Sequence, residues 1–149
     1  MQPRLVVVAG LVWLGPHRLV VQRRPLHAPH GPGRLELPGG KVEPGEAPRA
    51  ALRRELVEEW GPAAADLSIG PVAEILHHIY PAPGPEVLLL LYHVDAAVWA
   101  TSAWQTALRL EAGAAVLAFD LPDLPLDEFL AADREFLAEV RAGRVRPPA

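Results

Sequence analysis

Residues 40–61 read GKVEPGEAPRAALRRELVEEWG, and the fold follows from how this stretch is punctuated. Pro44-Gly45 ends any preceding strand, Pro48 suits a first helical turn, and Gly61-Pro62 places a glycine just past a helix end with a stop behind it. The segment between, about residues 47–60, is rich in Ala, Leu, Arg and Glu, all serviceable helix formers. At 100° per residue, Glu55, Glu58 and Glu59 fall within an arc of about 100°, with Ala47 and Ala51 beneath them. Leu52, Leu56 and Trp60 form the neighbouring apolar stripe, and Val57 extends it. One side of the helix therefore packs, and the adjoining side presents three carboxylates.

Like charges at i, i+3 and i, i+4 repel, and no cation lies within this arc. The helical spacing sends the basic pair Arg53 and Arg54 elsewhere. A solvated acidic face is one reading. The other is a cation site: small alanines leave room, and clustered carboxylate oxygens suit hard divalent ions, Mg²⁺ or Mn²⁺, which also bridge phosphate oxygens.

The remaining composition narrows the function. A chain of 149 residues, half of them hydrophobic, is the size of one domain with a full core. A formal charge of −4 argues against a protein that tracks a nucleic-acid backbone. With no cysteine, disulfides, thiolate metal sites and Cys nucleophiles are excluded. The apolar run at 5–14 is too short to span a bilayer, and no small-residue cleavage site follows it, so a cytoplasmic location without membrane association is expected.

Working outward from the acidic helix, LVVVAGLVWL (5–14) and RLVVQRR (18–24) flank a Gly-Pro-His turn and predict a hairpin. PLHAPHGPGR (25–34) is a loop, and the short strand LEL (35–37) runs into Pro38-Gly39-Gly40. Residues 67–79 read as a strand broken at Gly70-Pro71, and EVLLLLYHV (86–94) as a central strand. Residues 95–110 fit a loop or a short helix carrying Trp99 and Trp104, and GAAVLAFDL (113–121) another strand. Residues 126–143 predict an amphipathic helix with Phe129, Ala132, Phe136, Leu137 and Val140 inside. Residues 1–143 form the expected single domain, and the 144–149 tail is expected to fray. The fold class is α/β: a mixed sheet between helices.

The spacing Gly40, Glu46, Arg54-Glu55-Leu56, Glu58-Glu59, Gly61 resembles the signature of the Nudix hydrolases, G-x5-E-x7-R-E-U-x-E-E-x-G-U. Eight fixed positions agree, and chance would give such a match on the order of 10⁻⁹ times per window. The likeness extends along most of the chain and is greatest to the MutT-like subgroup, which includes nucleoside triphosphate pyrophosphohydrolases. It implies the Nudix fold, an α/β/α sandwich. It implies Mg²⁺ or Mn²⁺ as cofactor and a nucleotide as the partner, in a monomer or homodimer. Glu58 and Glu59 would then be metal ligands, Glu55 a ligand or the general base, and the Gly39 carbonyl a further ligand. Arg54 would pair with Glu46 or Glu58 to hold the loop against the helix. Glu111 would be either a fourth carboxylate that approaches with substrate or an exposed loop residue.

Substrate contacts carried over in the same way fall on Arg23 and Arg24, Gly40, Lys41 and Asp133. Strand alternation puts one of these two arginines inward, and Arg23 is taken as the one facing the cleft. Lys41 would touch phosphate or sit solvated, and Asp133 would meet a base edge or N-cap the last helix. His77 and His78 read as core or surface histidines. Three departures bear on substrate and packing: Pro62 replaces the closing aliphatic, Leu37 stands where some members are aromatic, and Leu117 where Trp is frequent. The implied reaction is metal-dependent hydrolysis of a nucleoside triphosphate to the monophosphate and pyrophosphate. The alternatives are hydrolysis of a dinucleotide or nucleotide sugar, and a non-catalytic nucleotide sensor. Carboxylates sharing one site should make activity favour alkaline pH, and should destabilise the metal-free protein.

Overall fold

The computed structural model of the chain describes residues 3–149, so the first two positions of the expected domain lie outside the described residues. The hairpin forms as its sequence demands: β1 (Arg4–Gly15) and β2 (Arg18–Arg23) pair antiparallel about the Pro16-His17 turn. Next come β3 (Leu35–Glu36), β4 (Gly39–Lys41), the box helix α1 (Pro48–Trp60), β5 (Ser68–Ile79), β6 (Glu86–Asp95), β7 (Ala115–Asp120) and α2 (Ala131–Arg141). The sheet is mixed, in the order β3-β2-β1-β6-β5, with β4 on β1 and β7 on β2. The long β1–β6 pair is parallel and lies inside the sheet, as the unbroken apolar run of β6 implies.

Strand alternation divides the core in two. Val8, Val12 and Val20 pack under Leu52, Leu56 and Trp60 of α1. Leu11, Trp13, Leu19 and Val21 point the other way, against Phe136, Leu137 and Val140 of α2. The α/β/α sandwich follows from this period-2 pattern on β1 and β2. Helix α1 ends where expected: Gly61 takes φ 92° and its N–H bonds the Val57 carbonyl. Among the described residues, no helix is long and apolar enough to cross a membrane.

Five local expectations are corrected. Gly39–Lys41 is a strand, because Pro38 hands the chain onto the free half of the β1 edge, Val8 opposite Gly40. Strand β5 is not broken at Gly70-Pro71. It lies at the sheet edge, where a residue without an N–H is tolerated, and the irregularity becomes a register shift between Ile69 and Val72. The last helix begins at Ala131 rather than 126. Phe129 is instead held extended by a bridge to Leu35, and the Leu130 N–H bonds the Leu35 carbonyl at 3.1 Å. Phe129 is still fully buried, but Ala132 is exposed. The tail packs at Val145, which lies against the α2-side core, and Pro147 borders a cavity that Trp13 and His93 also line. Residues 95–110 carry two short 3-10 turns, 97–99 and 104–107, that bury Trp99 and Trp104.

Candidate functional site

The acidic side of α1 faces the end of β2 and the loops that follow β2 and precede β7. Between them lies a cavity of about 320 Å³ lined by Glu36, Glu55, Glu58, Glu59 and Glu111, and by Gln22, Arg23, Arg24 and His27. Glu55 rests directly on Gly40: a Cβ there would come within 2.3 Å of the Glu55 Cδ. Only glycine lets the β4 backbone approach so closely. Beside it, the Gly39 N–H donates to the Glu59 carboxylate at 3.1 Å.

Arg54 does not point away from the carboxylates. Its Nε and Nη2 grip both oxygens of Glu46 at 2.8 and 2.9 Å. Its Nη1 donates to Glu55 and Glu58 at 3.0 and 3.2 Å, and its Nη2 also donates to the Lys41 carbonyl at 3.0 Å. The long, planar guanidinium reaches around its own helix, which Cα angles alone do not reveal. Arg53 does turn away, donating to the carbonyls of Ala64 and Ala65. The Arg54 fork holds Glu46 down to about 2. Burial pushes Glu55 up despite the opposing pull of Arg54. Burial, and then the charges of Glu36 and Glu55, push Glu59 up to about 8.

Among the described residues, no three metal-ligating side chains already converge tightly enough to cage an ion. The donor set still suits a hard divalent cation. It is made of carboxylate oxygens, and burial and neighbouring negative charge disfavour ionisation of Glu59, a cost that a cation would relieve.

The other positions named from the sequence are dispersed. Glu111 borders the cavity in an exposed pair with His27, Oε1 to Nε2 3.2 Å. Arg23 and Arg24 both border it and alternation separates their guanidinium groups, but the one turned to the carboxylates is Arg24, not the expected Arg23. Arg24 bonds Glu36 at 2.6 Å, on the carboxylate side, whereas Arg23 donates to the Gly33 carbonyl and Glu128. Lys41 is exposed at the end of β4. Asp133 is not the N-cap, a place taken by Leu130. It lines a second cavity of about 530 Å³ with Val7, Leu89 and Phe136, where burial, and then the charge of Glu36, push it up to about 6. His77 and His78 border this second cavity and are exposed.

Two residues of the site were not singled out from the sequence, Glu36 and Gln22. Alternation offered a signal for each: Glu36 lies between the inward Leu35 and Leu37, and Gln22 shares the parity of Val20, which packs beneath α1.

Comparison with known proteins agrees with this fold. A family model described as the NUDIX domain matches residues 3–140. A Mycobacterium tuberculosis protein named "Putative 8-oxo-dGTP diphosphatase 2" is 54% identical over 65 residues, covering 44% of this chain and 45% of that protein. An Escherichia coli 8-oxo-dGTP diphosphatase is 40% identical over 58 residues, 39% of this chain and 44% of that one. The matched stretches thus span under half the length of these curated relatives. A MutT protein of Methanosarcina mazei superposes with a TM-score of 0.71 at 21% identity, covering 96% of both chains.

Proposed function

Because this chain belongs to the NUDIX family, we propose that it hydrolyses a nucleoside triphosphate to the monophosphate and pyrophosphate. The observation that carries the reading is the gathering of Glu36, Glu55, Glu58, Glu59 and Glu111 on one cavity that also holds Arg23 and Arg24. Acidic and basic groups meet there as a polyphosphate with its counter-cations would require.

Glu55, Glu58 and Glu59, with the Gly39 carbonyl, would hold Mg²⁺ or Mn²⁺. When bound, such cations neutralise charge building on phosphate oxygens and make water more acidic. Glu55, raised by burial, takes a proton from the attacking water as its oxygen bonds phosphorus, and the bond to the pyrophosphate leaving group breaks. Arg54 keeps Glu55 and Glu58 in place through its anchor on Glu46. Glu111, paired with an exposed His27, turns inward with substrate. Arg24, with Arg23 and Lys41 further out, meets the phosphates. The second cavity takes the base, with Asp133 on its polar edge and Val7 and Phe136 as apolar walls. The 8-oxo-dGTP named for the relatives is the first nucleotide to test, and a cytoplasmic location fits such a substrate.

The test is a substrate panel with Mg²⁺: 8-oxo-dGTP, dGTP, dATP, a dinucleoside polyphosphate and a nucleotide sugar, scored for pyrophosphate against orthophosphate. Pyrophosphate from the triphosphates is expected. Glu58→Gln should lower kcat on the order of 10³-fold without shifting the thermal midpoint. Turnover near that of the parent would refute the role given to Glu58, and cleavage of only dinucleotides or sugars would refute the substrate class.

A further inference from the structure

Trp60, the last residue of α1, is fully buried, and its indole N–H can only donate. A buried donor without an acceptor is costly. Its acceptor is the Gln22 side-chain carbonyl, 2.7 Å away. That bond fixes which way the Gln22 amide faces: oxygen toward Trp60, NH₂ toward the carboxylate cavity. The NH₂ donates to Glu36 Oε1 at 2.7 Å, and it lies close enough to Glu59 to draw the pKa of that carboxyl down. Glu36 is thereby held between Arg24 and Gln22, beside Glu59, which the Gly39 N–H holds from the other strand.

The anchor itself is rigid. Trp60 lies 6.0 Å from Trp99, which stacks on Trp104 at 5.0 Å and 4°. Nothing in this chain of rings can shift without opening the α1-side core. Glutamine suits the position because it is neutral. A lysine there would also satisfy both carboxylates, but it would compete with an incoming cation.

We infer that Gln22 is a positioning residue of this site, its amide oriented by Trp60 so that Glu36 and Glu59 are held side by side on the cavity wall. The inference rests on the cation-site reading given above. A merely structural role, that of giving the buried indole a partner, would affect stability alone.

Gln22→Met keeps length and volume and removes both sets of hydrogen bonds. Trp60→Phe keeps an aromatic ring and removes the N–H that orients the amide, together with part of the buried indole. Mn²⁺ affinity by calorimetry, tryptophan emission on Mn²⁺ addition, thermal midpoint, kcat and KM would be measured for each. Gln22→Met should weaken Mn²⁺ binding about tenfold, within the range seen when groups that orient metal ligands are lost. Its kcat should fall by at least as much while KM for the nucleotide stays within about twofold of the parent, because Gln22 bonds carboxylates rather than substrate. Trp60→Phe should move Mn²⁺ affinity in the same direction by less. Parent-like Mn²⁺ affinity in Gln22→Met, whatever its thermal midpoint, would overturn the inference. If that variant does not fold, parent-like affinity in Trp60→Phe overturns it equally. A parent protein that binds Mn²⁺ but cleaves no nucleotide would defeat the proposed reaction, and the Mn²⁺ contrast would still decide the role of Gln22. A parent that binds no Mn²⁺ would defeat both.

Discussion

At Glu59 the fold withdraws a carboxyl group from water, sets Glu36 and Glu55 beside it, and offers in return only a backbone N–H and a neutral amide. Its proton is held up to about 8, against an ordinary value of 4.5. Below about 4.5 the group is neutral whether folded or unfolded and adds no pH dependence. Between 4.5 and 8 the unfolded chain loses the proton while the folded protein keeps it, so stability falls as pH rises; above 8 the loss is complete. Asp133, raised from 3.8 to about 6, acts with the same sign in a lower window. Glu46, lowered to about 2, acts oppositely and only under acid conditions. Melting in EDTA should therefore show stability declining from pH 5 to pH 8, by on the order of 2–4 kcal/mol. Glu59→Gln should remove most of that slope, and millimolar Mg²⁺ or Mn²⁺ should lift its alkaline end. A flat profile across this range would show that Glu59 is not held protonated. The sequence announced that clustered carboxylates would resist ionisation but not that Glu59 bears it most, because burial and the approach of Glu36 come from other elements.

Among the elements, β4 shows how two adjacent glycines serve different neighbours. A Cβ on Gly39 would meet the Val8 carbonyl oxygen at 1.9 Å, and strand backbone cannot yield without separating β4 from β1. A Cβ on Gly40 would meet only the far end of the Glu55 side chain. Gly39→Ala should lower the urea midpoint by a stability loss of about 3 kcal/mol or more. Gly40→Ala should cost stability little and instead displace Glu55, weakening Mn²⁺ binding and kcat. Equal stability losses in the two variants would contradict this division. Local punctuation was enough to read α1 and the β1–β2 hairpin: Pro48 and Gly61 bound the helix, and Pro16-His17 bounds the turn. It was not enough where tertiary pairing decides. β4 exists because the β1 edge is open there, β5 continues through Pro71 because it lies at an edge, and α2 starts late because Leu35 holds Phe129 extended.

Across the whole molecule, the sandwich puts its chemistry on the α1 side and its closing elements on the other. The Arg- and Pro-rich composition of residues 144–149 suggests a frayed end, yet those residues run back over the molecule. Val145 packs on the α2-side core, and Pro147 borders a cavity that Trp13 and His93 also line. There the buried Trp13 Nε1 donates to His93 Nδ1 at 3.0 Å, a bond that requires a neutral ring, and burial lowers the His93 pKa in keeping with it. Removing residues 144–149 would expose this edge to water and strip the contacts of one half-buried valine and one proline. The expected loss is about 1–2 kcal/mol, read as a lower thermal midpoint. Mn²⁺ affinity should not change, since the sheet separates the tail from the carboxylate cavity. Should the truncated protein melt with the parent, the tail frays as its composition suggests. Should it bind Mn²⁺ more weakly, the two faces of the sandwich are coupled and the carboxylates are not positioned by α1, β2 and β4 alone.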